Sequence, residues 1–245
     1  MRAKKMNYFI LWFSWILVLH ADWNPLSCFP EQDLDRLQEP LFINLKREVV
    51  RYLEGSWCSA EKINLMMDLL CVIEPALCVE IGAFTGSSVL PVASTLKHLQ
   101  VGRVIAIDAW SSLEAIKNLD FDDPNRPHWA AMDMKNAYLK FQTMLWEHFL
   151  TPYCVTLCLP SNVAARYVNE IDFLNLDGDY SERGSMEDVK LYLPKVKRGG
   201  YILLSNLYTM VNGKAPKMKS FAVLYDACEL ICEIERGNAI LFRKL

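Results

Sequence analysis

Residues 79–88 read VEIGAFTGSS: an apolar run carries Glu80 and ends in two glycines set four apart, Gly82 and Gly86. A carboxylate at the lip of a strand needs a partner, and glycine at such a bend lets another group come close to the backbone. What the acid receives and what approaches the glycines decide how the chain is read. Beyond the bend a helix is expected from about Gly86, with Pro91 in its first turns, where a missing N–H costs little. The unpaired N–H groups at that helix start would welcome a carboxylate or phosphate.

Working outward, short apolar runs recur at ALCVEI (76–81), RVIAID (103–108), CVTLCL (154–159), IDFLNL (171–176) and YILLS (201–205), each separated by a helix-like stretch. That alternation predicts an α/β fold, a Rossmann-like and mostly parallel sheet with helices on both faces. The end differs: ELICEIE, then Arg236, Gly237 and Asn238, then AILFRK reads as an antiparallel C-terminal hairpin. Upstream, residues 32–54 and 60–74 are expected to be helical. Ser59 is placed to cap the second helix, and Ile63, Met66, Met67 and Leu70 follow at apolar helical spacing. Residues 111–150 are long for a simple crossover and predict a helix over about 130–150 with a loop over the pocket. Trp129, Phe141, Trp146 and Phe149 in this insert fit either core packing or an aromatic acceptor wall.

A chain of 245 residues, 52% hydrophobic and 22% charged, suits one sizeable folded domain. A net charge of −3 excludes a general nucleic-acid binder, which needs a broad cationic surplus. The clusters Lys195, Lys197, Arg198 and Lys214, Lys217, Lys219 read as solvated surface. Arg2, Lys4 and Lys5 ahead of the apolar run 8–19 resemble an export signal in layout. Residues 1–21 are thus expected to be a signal peptide or membrane anchor, with membrane association through residues 6–21. Without such a signal the location would be cytoplasmic. The eight cysteines form no C-x-x-C pair, and Cys78, Cys154, Cys158 and Cys232 fall in apolar segments as small core side chains.

Asp108 closes the second strand 22 residues beyond Gly86, where an acid can accept both hydroxyls of a ribose. The dinucleotide pattern G-x-G-x-x-G is absent, and a pyrophosphate would be poorly received beside Glu80, so a nicotinamide-dependent oxidoreductase is disfavoured. An acid there better suits a ligand bearing an ammonium, such as the methionine part of S-adenosylmethionine, which Glu80 would meet directly or through water.

VEIGAFTGSS followed by VIAIDAW, IDFLNLDGDYS and LPKVKRGGYILLSN resembles the class I S-adenosylmethionine-dependent methyltransferases. The likeness is to the catechol and caffeoyl-coenzyme A O-methyltransferases and the bacterial small-molecule O-methyltransferases. It spans roughly residues 55–245 and implies a seven-stranded sheet with the final hairpin inserted antiparallel. It divides the chain into residues 22–58, a helical extension, and 59–245, the methyltransferase domain. The resemblance places cofactor contacts on Glu80, Gly82, Phe84, Gly86 and Ser88, on Asp108 for the ribose, on Ala109 and Trp110 near the adenine edge, on Asn162, and on Asp177 below the methyl donor. It implies O-methylation of a small-molecule acceptor.

Two departures stand out. Metal-dependent relatives hold a divalent ion such as Mg²⁺ at positions matching Asp177, Ser205 and Asn206. Asp177 and Asn206 fit, whereas Ser205 stands where a carboxylate is usual, which puts a metal in doubt; Asp179 is an alternative ligand. Asp177 and Tyr180 are the catalytic candidates, yet Tyr180 stands where relatives carry His or Lys, and an ordinary tyrosine is a poor base near neutrality. His128 could reach in from a lid. The alternative expectation is a catalytically inactive methyltransferase-fold binding module, exported or membrane-tethered.

Overall fold

A computed structural model describes residues 34–245. The expected signal or anchor over 1–21 lies outside them; among the described residues no helix is long and apolar enough to cross a membrane.

The described residues open with helices α1 (Leu34–Leu37), α2 (Pro40–Tyr52) and α3 (Ala60–Ile73). Ser59 caps α3 as its sequence position predicts, its hydroxyl accepting from the backbone N–H of Lys62 at 3.1 Å. Then follow β1 (Leu77–Ile81), α4 (Val89–Leu99), β2 (Arg103–Asp108), the short α5 (Ser112–Ala115) and α6 (Arg126–Ala131), and α7 (Met134–Glu147). The second half contains β3 (Cys154–Cys158), α8 (Ser161–Ala164), β4 (Ile171–Leu176), α9 (Glu182–Tyr192), β5 (Val196–Leu204), α10 (Met218–Ala227), β6 (Cys228–Ile234) and β7 (Ala239–Lys244).

These strands form a seven-stranded sheet of order β3-β2-β1-β4-β5-β7-β6. All neighbours from β3 to β5 run parallel, while β7 pairs antiparallel with both β5 and β6. The C-terminal hairpin is inserted so that its last strand borders β5, as the resemblance implies. Strand order reverses between β1 and β4, the crevice where open α/β sheets take their ligands.

Strand alternation separates two apolar layers. Cys78, Phe173 and Leu203 face a layer with α2, α3, α4 and α7, built on Phe42, Met66, Leu70, Leu90 and Phe141. Val79, Ile81, Leu174 and Ile202 face the other, with Val189 and Tyr192 of α9 and Leu224 of α10. Burial of each such large side chain contributes about 1.5–3 kcal/mol, so the sheet is held from both sides. Cys78 and Cys154 are buried as expected, whereas Cys158 is exposed.

Glu80 shares the face of Cys78 and is therefore turned toward α3. In register beside it on β4 is Asn175. The first turn of α3 is fixed from a distant part of the chain: Ser59 Oγ donates to Glu235 Oε1 at 2.5 Å, and the backbone N–H of Glu235 donates to Glu61 Oε2 at 2.8 Å. The turn of the terminal hairpin thus clamps the start of the helix that carries Lys62.

Candidate functional site

A cavity of about 430 Å³ opens at the carboxyl ends of β1, β2 and β4. Gly82, Phe84, Ser88, Asp108, Ala109, Asn162, Asp177 and Tyr180 all line it, and Asn206 joins them from beyond β5. Residues spread over more than a hundred positions in sequence meet here because each lies at or just past the end of a parallel strand.

Asp108 is held by the bend itself. Its Oδ2 accepts the backbone N–H of Phe84 at 3.0 Å and its Oδ1 that of Trp110 at 2.7 Å. Burial raises its pKa, and the two N–H groups partly counter that. An ionised carboxylate has about four acceptor sites, so roughly two stay open toward the cavity, the number a sugar diol uses.

The glycines have a different use from the expected one. A Cβ on Gly82, at φ +90°, would stand 2.7 Å from the carbonyl oxygen of Asp177 and 2.7 Å from Gly178 Cα. A Cβ on Gly86 would stand 2.2 Å from Met144 Cε and 2.8 Å from Phe141 Cδ2, and Gly86 does not line this cavity. What approaches the bend is the protein: the loop after β4 at the first glycine and α7 at the second. The helix also starts later than expected, at Val89, leaving Pro91 in its first turn.

Glu80 lies beneath the cavity rather than on its wall. Ser88 Oγ donates to Glu80 Oε1 at 2.6 Å and Asn175 Nδ2 to Glu80 Oε2 at 2.8 Å. Burial pushes its pKa up to about 8 against the pull of Lys62 and these donors. Ser88 does line the cavity, so Glu80 reaches it only through that hydroxyl.

A family profile described as a methyltransferase domain matches residues 79–207, over half of the chain. The chain belongs to this family of class I S-adenosylmethionine-dependent methyltransferases. The methyltransferase PaMTH1 of Podospora anserina, solved bound to SAH, superposes with a TM-score of 0.58 at 13% identity, over 93% of this chain and 100% of that one. For a putative caffeoyl-CoA O-methyltransferase from Staphylococcus aureus the TM-score is 0.56 at 14% identity, over 86% and 96%. For the O-methyltransferase NovP it is 0.54 at 17% identity, over 83% and 79%. Such identities establish a shared fold alone. No curated protein matches the chain.

The rest of the cavity is aromatic on one side. Trp57 stacks on Phe84 with ring centroids 5.1 Å apart, Trp129 meets both edge-on, and Trp129 stacks on Tyr180 at 5.8 Å. Trp129 alone of the four aromatic candidates in the insert lines the cavity; Phe141 is core, while Trp146 and Phe149 are exposed elsewhere. Trp110 is also core, packed on Tyr138 and Phe141, its indole N–H donating to the Phe84 carbonyl at 2.9 Å. His128 sits outside the cavity against the rings of Trp57 and Trp129.

Sequence reasoning missed two lysines. Lys62 is 3% exposed and its Nζ donates to Asp177 Oδ2 at 2.6 Å. Burial pulls its pKa down, but Asp177, together with Cys58 and Glu80, offsets this and holds the ammonium above its ordinary value. Lys217, read as solvated surface, is instead buried at 2% exposure, donating to the Ser205 carbonyl at 2.9 Å with its ammonium 5.4 Å from the centre of the Tyr180 ring. Burial lowers its pKa. A lysine in a helix's first turn, or among other lysines in a loop, carries no local sign that it will be covered.

The expected metal ligands are held in bonds to neighbouring side chains and backbone. Asp177 is engaged on both oxygens, by Lys62 and by the side-chain amide of Asn206. Ser205 turns away from the cavity toward Asn175 Oδ1, 3.4 Å off. Asp179 is taken by Asn118 Nδ2 at 2.8 Å and the Ser181 backbone N–H at 2.7 Å. Among the described residues no group of three His, Cys, Asp or Glu side chains could hold an ion.

Proposed function

We propose that the protein transfers the methyl group of S-adenosylmethionine to an oxygen of a small, flat acceptor. The observation that carries this reading is the convergence of Asp108, the Gly82 bend, Ser88 and Asp177 on one cavity walled by Trp57, Phe84 and Trp129. S-adenosylmethionine, when bound, supplies a methyl group activated on a sulfonium sulfur. Asp108 accepts the ribose hydroxyls, Ala109 and Asn162 border the base, and Ser88, backed by Glu80, faces the amino-acid tail. The aromatic wall orients the acceptor and keeps water from the reacting line. As the O–C bond forms and the C–S bond breaks, the acceptor proton leaves to solvent.

Calorimetric titration of the full chain with S-adenosylmethionine and separately with NAD tests this. Micromolar binding of the first, lost in Asp108→Ala, is expected; a folded protein that binds neither would overturn the reading. A second reading, a methyltransferase-fold binding module, exported or tethered, is favoured by one feature of the site. Tyr180 is pushed upward in pKa by burial and then by Asp177, so it serves poorly as a base. Methyl transfer to a panel of phenols and catechols separates the two, an enzyme giving methylated product and a binder none.

A further inference from the structure

A divalent ion such as Mg²⁺ takes an octahedral shell of oxygens, with carboxylates among them. At this site a single positive charge already faces the carboxylate. Lys62 rises from the first turn of α3 under the cavity floor, and its ammonium lies 2.6 Å from Asp177 Oδ2. The turn Glu235–Gly237 clamps that helix start through Ser59 and Glu61, so the lysine is delivered by a fixed element. Asn206 supplies an amide donor to the other oxygen of Asp177, where a carboxylate would have repelled it. Glu80, Asn175 and Ser205 continue the same buried face as a connected polar row: Asn175 donates to Glu80 at 2.8 Å, and Ser205 lies 3.4 Å from Asn175. Asp177 and Asn206, which fit the expected ligand set, and Ser205, which departs from it, thus stand in a hydrogen-bonded arrangement around an internal cation.

We infer that the Lys62 ammonium is the resident cation of this site, balancing Asp177 in place of a divalent ion and making the site independent of metal. Lys62 acts as a positioning residue: it lies beneath the cavity and works through Asp177. Its bearing on catalysis rests on the methyl-transfer reading, but the charge assignment does not, and the test below uses no methyl donor.

Mn²⁺ is the probe, followed by loss of its free-ion electron paramagnetic resonance signal, in the full-length protein. Wild type is expected to leave the free signal intact at millimolar metal. Asn206→Asp offers a second carboxylate at a position whose left-handed backbone, φ 61°, an aspartate tolerates. With Lys62 kept, this variant should likewise leave the free signal intact at millimolar metal. Lys62→Met/Asn206→Asp should bind it roughly tenfold or more tightly, because the competing positive charge is gone. Asp177→Asn in that background should abolish binding. A lysine of merely structural importance would not produce this gain. Wild-type binding of Mn²⁺ that Asp177→Asn removes would overturn the proposal. So would equal affinity of Asn206→Asp with and without Lys62, or a folded double variant that binds no metal. Should the double variant not fold, the first two proteins decide: metal taken up through Asp177 in either, with Lys62 in place, overturns the assignment, and exclusion from both supports it. Failure here leaves the titration with S-adenosylmethionine untouched.

Discussion

The backbone N–H of Phe84 donates to Asp108 Oδ2 at 3.0 Å, which ties the bend after β1 to the end of β2. Phe84 adopts a left-handed φ of 43° to do so, a conformation that side chains other than glycine rarely take. The acid therefore shapes the bend as well as facing the cavity.

Replacing Asp108 should have a double effect. In Asp108→Ala two backbone N–H groups lose their acceptor and the cavity loses its charge. Hydrogen bonds to charged groups are worth roughly 1.5–3 kcal/mol each, so S-adenosylmethionine affinity should fall on the order of a hundredfold. Asp108→Asn keeps one acceptor oxygen and should fall less. Calorimetric Kd values for the three proteins check the order; equal affinities would contradict it.

Glu80 makes stability depend on pH with a definite sign. Its folded pKa is raised from 4.5 to about 8, so the folded state holds a proton that the unfolded state has released between those values. Stability of the unliganded protein should therefore be highest on this account below about 4.5, fall as pH rises, and level off above about 8. Glu80→Gln keeps the shape and should flatten that part of the profile. Denaturant unfolding of both proteins across pH 5 to 9 measures it, and parallel curves would rule out the assignment.

The two glycines should differ in how well they tolerate alanine. At Gly82 the new methyl meets backbone, 2.7 Å from the Asp177 carbonyl oxygen, and φ is +90°. At Gly86 its nearest neighbour is the mobile end of Met144, although φ is +92° there too. Strain of this kind costs about 1–3 kcal/mol, and the backbone clash adds to it. Thermal unfolding should thus show a larger drop in Tm for Gly82→Ala than for Gly86→Ala.

Tyr180 should prove a wall rather than a base. Its ring stacks on Trp129 at 5.8 Å, and burial keeps its hydroxyl protonated. Tyr180→Phe keeps the stack and should leave kcat within a few fold. Trp129→Ala removes the wall and should raise KM for the acceptor more than it lowers kcat. A fall of two orders of magnitude in kcat for Tyr180→Phe would return the hydroxyl to the chemistry.

Strand positions, the hairpin, the Ser59 cap and the acid ending β2 were all legible along the chain, because each follows from periodicity or spacing within a few residues. The sites of Gly82 and Asp108 were legible for the same reason: a parallel strand's carboxyl end is a local feature with a known place in the fold. Tertiary structure alone decided what those residues meet. Glu80, expected to meet a ligand directly or through water, lies under Ser88, since the alternation of β1 turns it toward α3. The glycines admit α7 and the loop after β4, partners set by how layers pack. Lys62 and Asp177 lie 115 residues apart and pair because α3 packs on the sheet, with its start bonded to the terminal hairpin. Spacing records which way a side chain points on its own element, and the charge it finds there depends on the element packed opposite.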